Sequence, residues 1–485
     1  MEGKGSLALS LIPLVVLIVL LYFDVQIFGE DSSYGSNQIA LLIAGAVAGA
    51  IALAKGKKWD TLYKGIEESI GSALGAILIL LLIGGLAGTW LISGVIPAMI
   101  SYGLDVFSPK IFLFATCIVA SIVSLATGSS WGTVGTVGVA LLAIGKALGV
   151  SDGWIAGAII SGAYFGDKMS PLSDTTNLAP AIAGTDLITH IRYMVFTTGP
   201  SILIALLVFL LVGLFGETGG AAVSVSEMQQ LIGDHFYISP VLFVVPLVVI
   251  VMIARKVPAV PALFVGMLLG GLFAMIFQPN VIRTIGGEGN FMRASYSAFM
   301  QAMSVETGIT TGNEVVDKLL TAKGMSGMMN TVWLILCALT FGGIMQAAGM
   351  LERITRAVLV MVRGVASLVF ATAGTCVLFN ILAADQYLAI VVPGKMYRKA
   401  FDDQGLAPEN LSRTLEDSGT VTSVLIPWNT CGVAQSGVLG IATGVYWPYC
   451  IFNIVSPIMT VLFAAMGWKI KRTPPEIGSE GMITR

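Results

Sequence analysis

One polar segment between apolar runs constrains the fold of this chain more than any other feature. Residues 162–177 carry Asp167, Lys168 and Asp174 together with five hydroxyl side chains. A charged group inside hydrocarbon costs roughly 3 to more than 10 kcal/mol, so a chain that keeps three there is expected to use them. Pro171 also interrupts a helix and frees backbone carbonyls at the same depth. A broken helix with carboxylates and hydroxyls predicts an ion-binding site rather than a structural span.

The composition indicates a membrane protein. The 485 residues are 56% hydrophobic and only 11% charged, whereas soluble domains carry about 25% charged residues. Apolar runs of about 20 residues recur along the chain, which predicts membrane-spanning helices surrounded by a lipid bilayer. A net charge of −2 argues against a basic surface for nucleic acid. The five cysteines lie in apolar segments without metal-ligand spacing, so we expect no disulfides and no cofactor.

The apolar runs predict an all-α polytopic protein with ten full spans and two re-entrant helical hairpins. The hairpins are predicted near residues 110–148 and 364–400, each with a small or polar tip between two apolar arms. Two complete helices in place of each hairpin are the alternative. The first apolar run fits a retained span better than a signal peptide, because it lacks an A-x-A cleavage site. The full spans are predicted near 6–23, 38–54, 70–92, 154–189, 192–215, 238–254, 260–277, 329–349, 411–445 and 447–467.

Charge asymmetry predicts the orientation of these spans. If the N-terminus is cytoplasmic, Lys and Arg concentrate in the inner segments, whereas the predicted outer loops at 24–37 and 216–237 contain neither. The positive-inside rule therefore places both termini in the cytoplasm. The outer loop at about 278–328 is glycine-rich and long enough to escape that rule.

A weak internal repeat is visible at an offset of about 256 residues. Pro171 matches Pro427, and the tip at 127–131 matches 383–387. Each half contains an odd number of full spans, so the second half is predicted to be inverted, as is typical of secondary transporters. The first repeat is predicted at 1–215, with a broken helix at about 154–189. An outer linker at 216–237 connects it to the second repeat at 238–467, which has a broken helix at about 411–445. A cytoplasmic tail is predicted at 468–485.

The hairpin tips and helix breaks hold the candidate binding residues. A small hard cation such as Na+ prefers oxygen ligands, which hydroxyls, amides, carboxylates and freed carbonyls supply. Packing or hydrogen bonding within a helix is the alternative role of any single hydroxyl. We expect Na+ to bind Ser129, Ser130, Asp174, Thr175 and Asn177, with Asp174 as the leading carboxylate. The full set of predicted cation- or proton-binding residues is Asp174, Asp167, Ser129, Ser130, Ser173, Thr175, Thr176, Asn177, Asp385, Gln386, Asp417, Thr420, Asn429 and Thr430.

The carboxylates have a second predicted use. A carboxyl that keeps its proton until a cation arrives makes the two ions compete for one site, and this competition is sufficient for exchange. Lys168 is expected to neutralise one of the carboxylates, either during transport or as a static ion pair. His190 is expected to be solvated near the inner mouth. The candidate carboxylates are Asp167, Asp174, Asp385, Glu416 and Asp417.

Two motifs carry a resemblance to a known family. Gly-Asp-Lys-Met-Ser-Pro-Leu-Ser-Asp-Thr-Thr-Asn-Leu-Ala-Pro at 166–180 resembles the signature of the NhaC family of bacterial sodium/proton antiporters. Ala-Thr-Gly-Ser-Ser-Trp-Gly-Thr at 126–133 resembles that family too, and the resemblance extends over about residues 6–467. It implies two inverted repeats, each with a re-entrant hairpin and a broken helix. It also implies a homodimer in the bacterial cytoplasmic membrane.

The leading hypothesis is a secondary transporter, not an enzyme, that exchanges Na+ for H+. Some relatives resemble malate/lactate or amino-acid exchangers, so a Na+- and H+-coupled exchanger of a small organic anion or amino acid is the alternative. The helix breaks could hold a carboxylate, although no Arg lies near the tips. An intramembrane aspartyl protease is a remote alternative, since the sequence before Asp167 lacks the G-x-G-D pattern. No nucleotide-binding motif supports an ATP-driven pump.

Overall fold

The computed structural model describes residues 7–29, 32, 34–216, 224–360 and 362–473, which are almost entirely helical. The first half contains α1 (Leu7–Phe28), α2 (Ser36–Ala54), α3 (Trp59–Ser72), α4 (Leu74–Ile92), α5 (Val95–Val106), α6 (Pro109–Thr127), α7 (Ser130–Thr133), α8 (Val139–Ala147), α9 (Asp152–Met169), α10 (Asp174–Ala183) and α11 (Leu187–Phe215). The middle of the chain contains α12 (Val225–His235), α13 (Val244–Ala254), α14 (Ala259–Phe277), α15 (Pro279–Gly286), α16 (Phe291–Ser304), β1 (Thr307–Gly308), α17 (Glu314–Leu319) and β2 (Thr321–Ala322). The last part contains α18 (Met329–Ala347), α19 (Met350–Leu359), α20 (Val365–Leu382), α21 (Gln386–Asp403), α22 (Pro408–Leu415), α23 (Thr430–Leu439), α24 (Thr443–Tyr446) and α25 (Ile451–Ala465).

Several of these helices are suited to hydrocarbon. Eight helices within the described ranges are long and apolar enough to cross a membrane, and the number reaches ten if two bent pairs each form one span. Large apolar side chains on their outer surfaces are exposed, for example Leu203 at 67% and Phe370 at 65%. Apolar surface of this extent is stable next to lipid rather than water. The chain is therefore a multi-pass membrane protein.

Both helices that carry the polar motifs are interrupted. α9 ends at Met169, and α10 starts after residues 170–173, where Pro171 cannot donate a helical hydrogen bond. Ser173 then caps α10 by accepting a hydrogen bond from the Thr176 backbone N–H. In the other half, α22 continues into a π-helical turn, and Asn429 caps α23 beyond the break. The breaks expose backbone groups that other segments must satisfy.

The two halves repeat their helix boundaries. α10 and α23 begin about 256 residues apart, as do α7 and α21. Just before α7 and α21, Gly128 and Ala384 both adopt left-handed backbone conformations, with φ of 68° and 56°. Ser129 and Asp385 follow them as the helix caps. The offset seen in the sequence therefore holds for local backbone structure.

The described parts of the two predicted outer segments, the linker at 216–237 and the loop at 278–328 within the second repeat, contain more regular structure than their sequences indicate. The predicted outer loop at 278–328 contains α15, α16, α17 and the antiparallel β1–β2 pair, and the predicted linker at 216–237 contains α12. α16 packs against α4 so closely that a Cβ on Gly88 would overlap the Ala302 carbonyl oxygen. The buried alanines Ala294, Ala298 and Ala302 recur every four residues, and this spacing is the sequence signal that indicates the helix.

Candidate ion-binding site

A cavity of about 250 Å³ lies where the tips before α7 and α21 meet the two helix breaks. At the first tip, a Cβ on Gly128 would lie 2.6 Å from the Cβ of Leu172, inside the break. At the second tip, the Thr430 backbone N–H donates to the Ala384 carbonyl at 2.9 Å. The turn between α3 and α4 closes another side of the cavity. Segments that are distant in sequence thus surround one space.

Asp167 is held at this cavity by the first tip. Its Oδ2 accepts hydrogen bonds from the backbone N–H of Ser130, at 3.1 Å, and from the Ser130 hydroxyl, at 2.7 Å. The side chain lines the cavity and is only 9% exposed. Because Ser130 starts α7, the partial positive charge of a helix N-terminus also stabilises the Asp167 carboxylate. One carboxylate therefore joins the end of α9 to the tip before α7.

Asp385 and Asp174 line the same cavity in different surroundings. Asp385 is 2% exposed and caps α21 by accepting a hydrogen bond from the Leu388 backbone N–H at 3.0 Å. Asp174 is exposed, which corrects the prediction of a buried leading carboxylate. The preceding residue, Ser173, is buried as the helix cap, and the rotation of about 100° per helical residue leaves Asp174 at an exposed position of the cavity wall. The more deeply buried carboxylates at the cavity are Asp167 and Asp385.

Most of the predicted binding residues line the cavity. Its lining includes Ser129, Ser130, Asp167, Ser173, Asp174, Thr175, Asp385, Gln386 and Thr430. Thr176, Asn177, Asp417, Thr420 and Asn429 do not line it. Instead, Thr176 donates to the carbonyls of Asp167 and Lys168, and the exposed Asn177 donates to those of Pro171 and Ser173. These two side chains satisfy the backbone freed by the break, so Asn177 lies outside the cavity where the predicted Na+ ligands meet.

A second polar cluster surrounds Lys168, whose ammonium forms an ion pair with Asp417. Both side chains are fully buried, and Lys168 Nζ also donates to the Ser456 hydroxyl at 3.0 Å. Asp417 accepts further hydrogen bonds from the hydroxyls of Thr197, at 2.8 Å, and Thr460. Lys168 thus pairs with Asp417, one of the predicted candidate carboxylates, which lies in the other half of the chain. This cluster joins α9, α11, α25 and the turn after α22.

Glu416 connects the second cluster to the cavity. It is fully buried, and its Oε1 accepts a hydrogen bond from the Thr175 hydroxyl at 3.0 Å. Thr175 itself lines the cavity, and Glu416 precedes Asp417 in the π-helical turn. A change in the charge of Glu416 would therefore be transmitted to a residue at the cavity surface.

Some residues near the site were missed or misjudged from the sequence. His190 is fully buried rather than solvated, and its Nδ1 lies 2.8 Å from the Ser412 hydroxyl, because α22, although polar, packs inside the protein. The hydroxyls of Thr197, Ser456 and Thr460 were overlooked. Their only sequence signal is a polar residue within an apolar run, and such residues more often make packing contacts. Trp131 and Tyr387, which lie next to the two tips, both line the cavity.

The charges of the lining favour a cation. Asp167, Asp174 and Asp385 all contribute carboxylates, and none of the described residues that line the cavity is basic. No three His, Cys, Asp or Glu side chains in the described ranges converge as they would in a metal centre. The lining therefore presents carboxylate and hydroxyl oxygens, the ligand types that hard cations prefer.

Comparisons with known proteins identify the family of this chain. Residues 162–468 match the sequence model of the Na+/H+ antiporter family. This region contains both helix breaks, the second tip and the charged residues of both polar clusters. The chain belongs to that family.

Individual relatives cover nearly the whole chain. It is 34% identical to the Na(+)/H(+) antiporter NhaC of Alkalihalophilus pseudofirmus over 96% of this chain and 97% of the relative. It is 36% identical to the arginine/ornithine antiporter ArcD of Halobacterium salinarum, over 99% and 96%. It is 34% identical to the malate-2H(+)/Na(+)-lactate antiporter of Bacillus subtilis, over 89% of each chain. Relatives of similar sequence identity are thus named as transporters of different substrates.

Proposed function

We infer that this family member is a secondary antiporter that exchanges Na+ for H+ across the bacterial cytoplasmic membrane. The observation that carries this inference is Asp167, a buried carboxylate that lines the cavity and accepts two hydrogen bonds from Ser130 at the tip before α7. The names of the NhaC relatives support the same pair of ions. Asp167, Asp385 and the exposed Asp174 provide the negative charge that attracts the cation.

Exchange follows from competition at these carboxylates. A carboxyl buried in low dielectric is stable either with a proton or with a bound cation, but costly when charged and alone. Entry of Na+ therefore displaces a proton, and departure of Na+ allows a proton to return. Because each ion excludes the other, the protein cannot carry both together, and the gradient of one ion drives movement of the other.

The proposed architecture is two inverted repeats with re-entrant hairpins and both termini in the cytoplasm. The matching helix boundaries and the left-handed residues Gly128 and Ala384 support the repeat. The contacts between tips and breaks support hairpins that end within the membrane, since irregular backbone at that depth must be sheltered by protein. A homodimer is part of this proposal, on the basis of the family resemblance.

The test uses everted membrane vesicles that hold a preformed, acid-inside pH gradient reported by a dye. Adding Na+ outside is expected to dissipate the gradient, because Na+ enters in exchange for internal protons. K+ and choline chlorides control for ionic strength. If neither Na+ nor Li+ changes the gradient between pH 6 and 9, Na+/H+ antiport is wrong for this chain.

The size of the cavity favours one second candidate, a Na+- or H+-coupled exchanger of an amino acid. A volume of about 250 Å³ exceeds the needs of a dehydrated ion, and Trp131 and Tyr387 add aromatic surface beside the carboxylates. This lining suits a cationic amino acid better than malate or lactate, whose negative charge the carboxylates would repel. In the same vesicles, a gradient that dissipates only when arginine or ornithine is present would favour this candidate. A response that requires malate or lactate would favour the anion exchanger instead.

A further inference from the structure

His190 is a buried titratable residue that the exchange mechanism above does not use. It lies in the first turn of α11, directly after a segment in which Asp186 and Ile188 are exposed. Its Nδ1 lies 2.8 Å from the Ser412 hydroxyl, whereas its Nε2 is buried and has no hydrogen-bond partner among the described residues. An unsatisfied buried polar atom costs about 1–3 kcal/mol, and ordered water commonly satisfies such atoms.

Polar groups continue from His190 to the cavity. Ser412 and Glu416 are one helical turn apart, so their side chains lie on the same face of α22 and the turn that follows it. Glu416 Oε1 accepts a hydrogen bond from the cavity residue Thr175, while Oε2 is buried without a partner among the described residues. The series of imidazole, hydroxyl and carboxyl groups therefore runs from an exposed segment to the cavity wall.

Fixed positive charges flank this series. Lys168 is paired with Asp417, and the fully buried Arg413 guanidinium lies 4.5 Å from the centre of the Tyr193 ring. Asp417 balances the charge of Lys168, whereas no carboxylate among the described residues forms an ion pair with Arg413. The Arg413 charge repels a free Na+ ion, whereas a proton moves between neighbouring groups by exchange of N–H and O–H bonds. The series is thus better suited to protons than to metal ions.

We propose that His190 relays protons between the aqueous phase beside α11 and Glu416, along a route separate from the entry of the cation. Water delivers a proton to Nε2 as the proton on Nδ1 passes to Ser412. The Ser412 hydroxyl, which donates to the Glu409 carbonyl at 3.3 Å, then turns to pass its own proton through ordered water to Glu416. The Nε2–H bond forms as the Nδ1–H bond breaks, so the imidazole stays neutral. The ring must then return to its first tautomer before it can relay another proton. The inference rests on the Na+/H+ antiport proposed above, and it adds the path by which the proton reaches the site.

The experiment separates proton movement from cation movement in proteoliposomes. Exchange of radioactive Na+ for unlabelled Na+ requires the cation site but no net proton transfer, whereas Na+/H+ exchange requires both. His190→Asn places an amide near the position of Nδ1, where it can still bond Ser412, but it cannot pass a proton between two ring nitrogens. His235, the second histidine of the chain, lies in α12 with its Nδ1 near the Leu231 carbonyl, and His235→Asn is the matched control.

The expected result is that His190→Asn slows Na+/H+ exchange at least about tenfold, a threshold below the roughly 10²–10⁴-fold contribution of a positioned proton-transfer group. Na+/Na+ exchange and thermal stability should remain at the level of His235→Asn. The relay is wrong if His190→Asn exchanges Na+ for H+ as fast as the control, or if it loses both exchanges equally, since equal loss indicates a structural role. Absence of Na+/H+ exchange in the unaltered protein would instead overturn the proposed antiport.

Discussion

Asp167 and Asp174 line one cavity in contrasting surroundings, and the contrast predicts different effects of neutralising them. Asp167→Asn should lower Na+/H+ exchange at least about tenfold, because the amide keeps the shape but cannot hold and release a proton. Asp174→Asn should mainly raise the KM for Na+, because this exposed carboxylate attracts the ion at the cavity surface. Exchange rates at several Na+ concentrations in proteoliposomes distinguish the two effects. A normal maximal exchange rate for Asp167→Asn would show that Asp167 does not bind the transported ions.

The buried ion pair of Lys168 and Asp417 predicts a strong coupling in stability. Lys168→Met leaves a carboxylate buried without its counter-charge, which should lower the free energy of unfolding by about 3–5 kcal/mol. The double variant Lys168→Met/Asp417→Asn leaves no such charge and should recover much of the loss. Thermal unfolding in detergent, analysed as a double-mutant cycle, measures the coupling. Independent, additive effects of the two substitutions would contradict the pairing.

At the scale of elements, the tips before α7 and α21 predict opposite responses to small substitutions. A Cβ on Gly128 would lie within 2.8 Å of the Ser173 backbone nitrogen, so Gly128→Ala should displace the helix break and lower both Tm and exchange. Ala384 already has a positive φ of 56°, a strain of about 1 kcal/mol that glycine relieves. Ala384→Gly should therefore keep or raise the Tm in the same unfolding assay. A lower Tm for Ala384→Gly than for Gly128→Ala would contradict this assignment of the tips.

The sequence predicts elements whose signals are local and misses contacts that depend on the fold. Pro171 and the polar residues around it locate the first break, and the length of the apolar runs indicates the membrane helices. The exposure of Asp174 at the cavity, and the pairing of Lys168 with Asp417, depend on how α10 starts and on how two distant segments pack. No local pattern contains that information. The same reason explains why His190 was expected in solvent, since hydropathy cannot show that a polar helix such as α22 is covered by others.

At the scale of the whole molecule, residues from both halves build one cavity, so cation and proton binding should be linked in a single folded unit. The most direct measurement follows the pH of a weakly buffered solution of the purified protein in detergent as Na+ is added. Competition predicts that protons are released until Na+ saturates the site, with no release on addition of choline and much less from Asp167→Asn. Binding of radioactive Na+ to the unaltered protein without release of protons would contradict competition at the carboxylates.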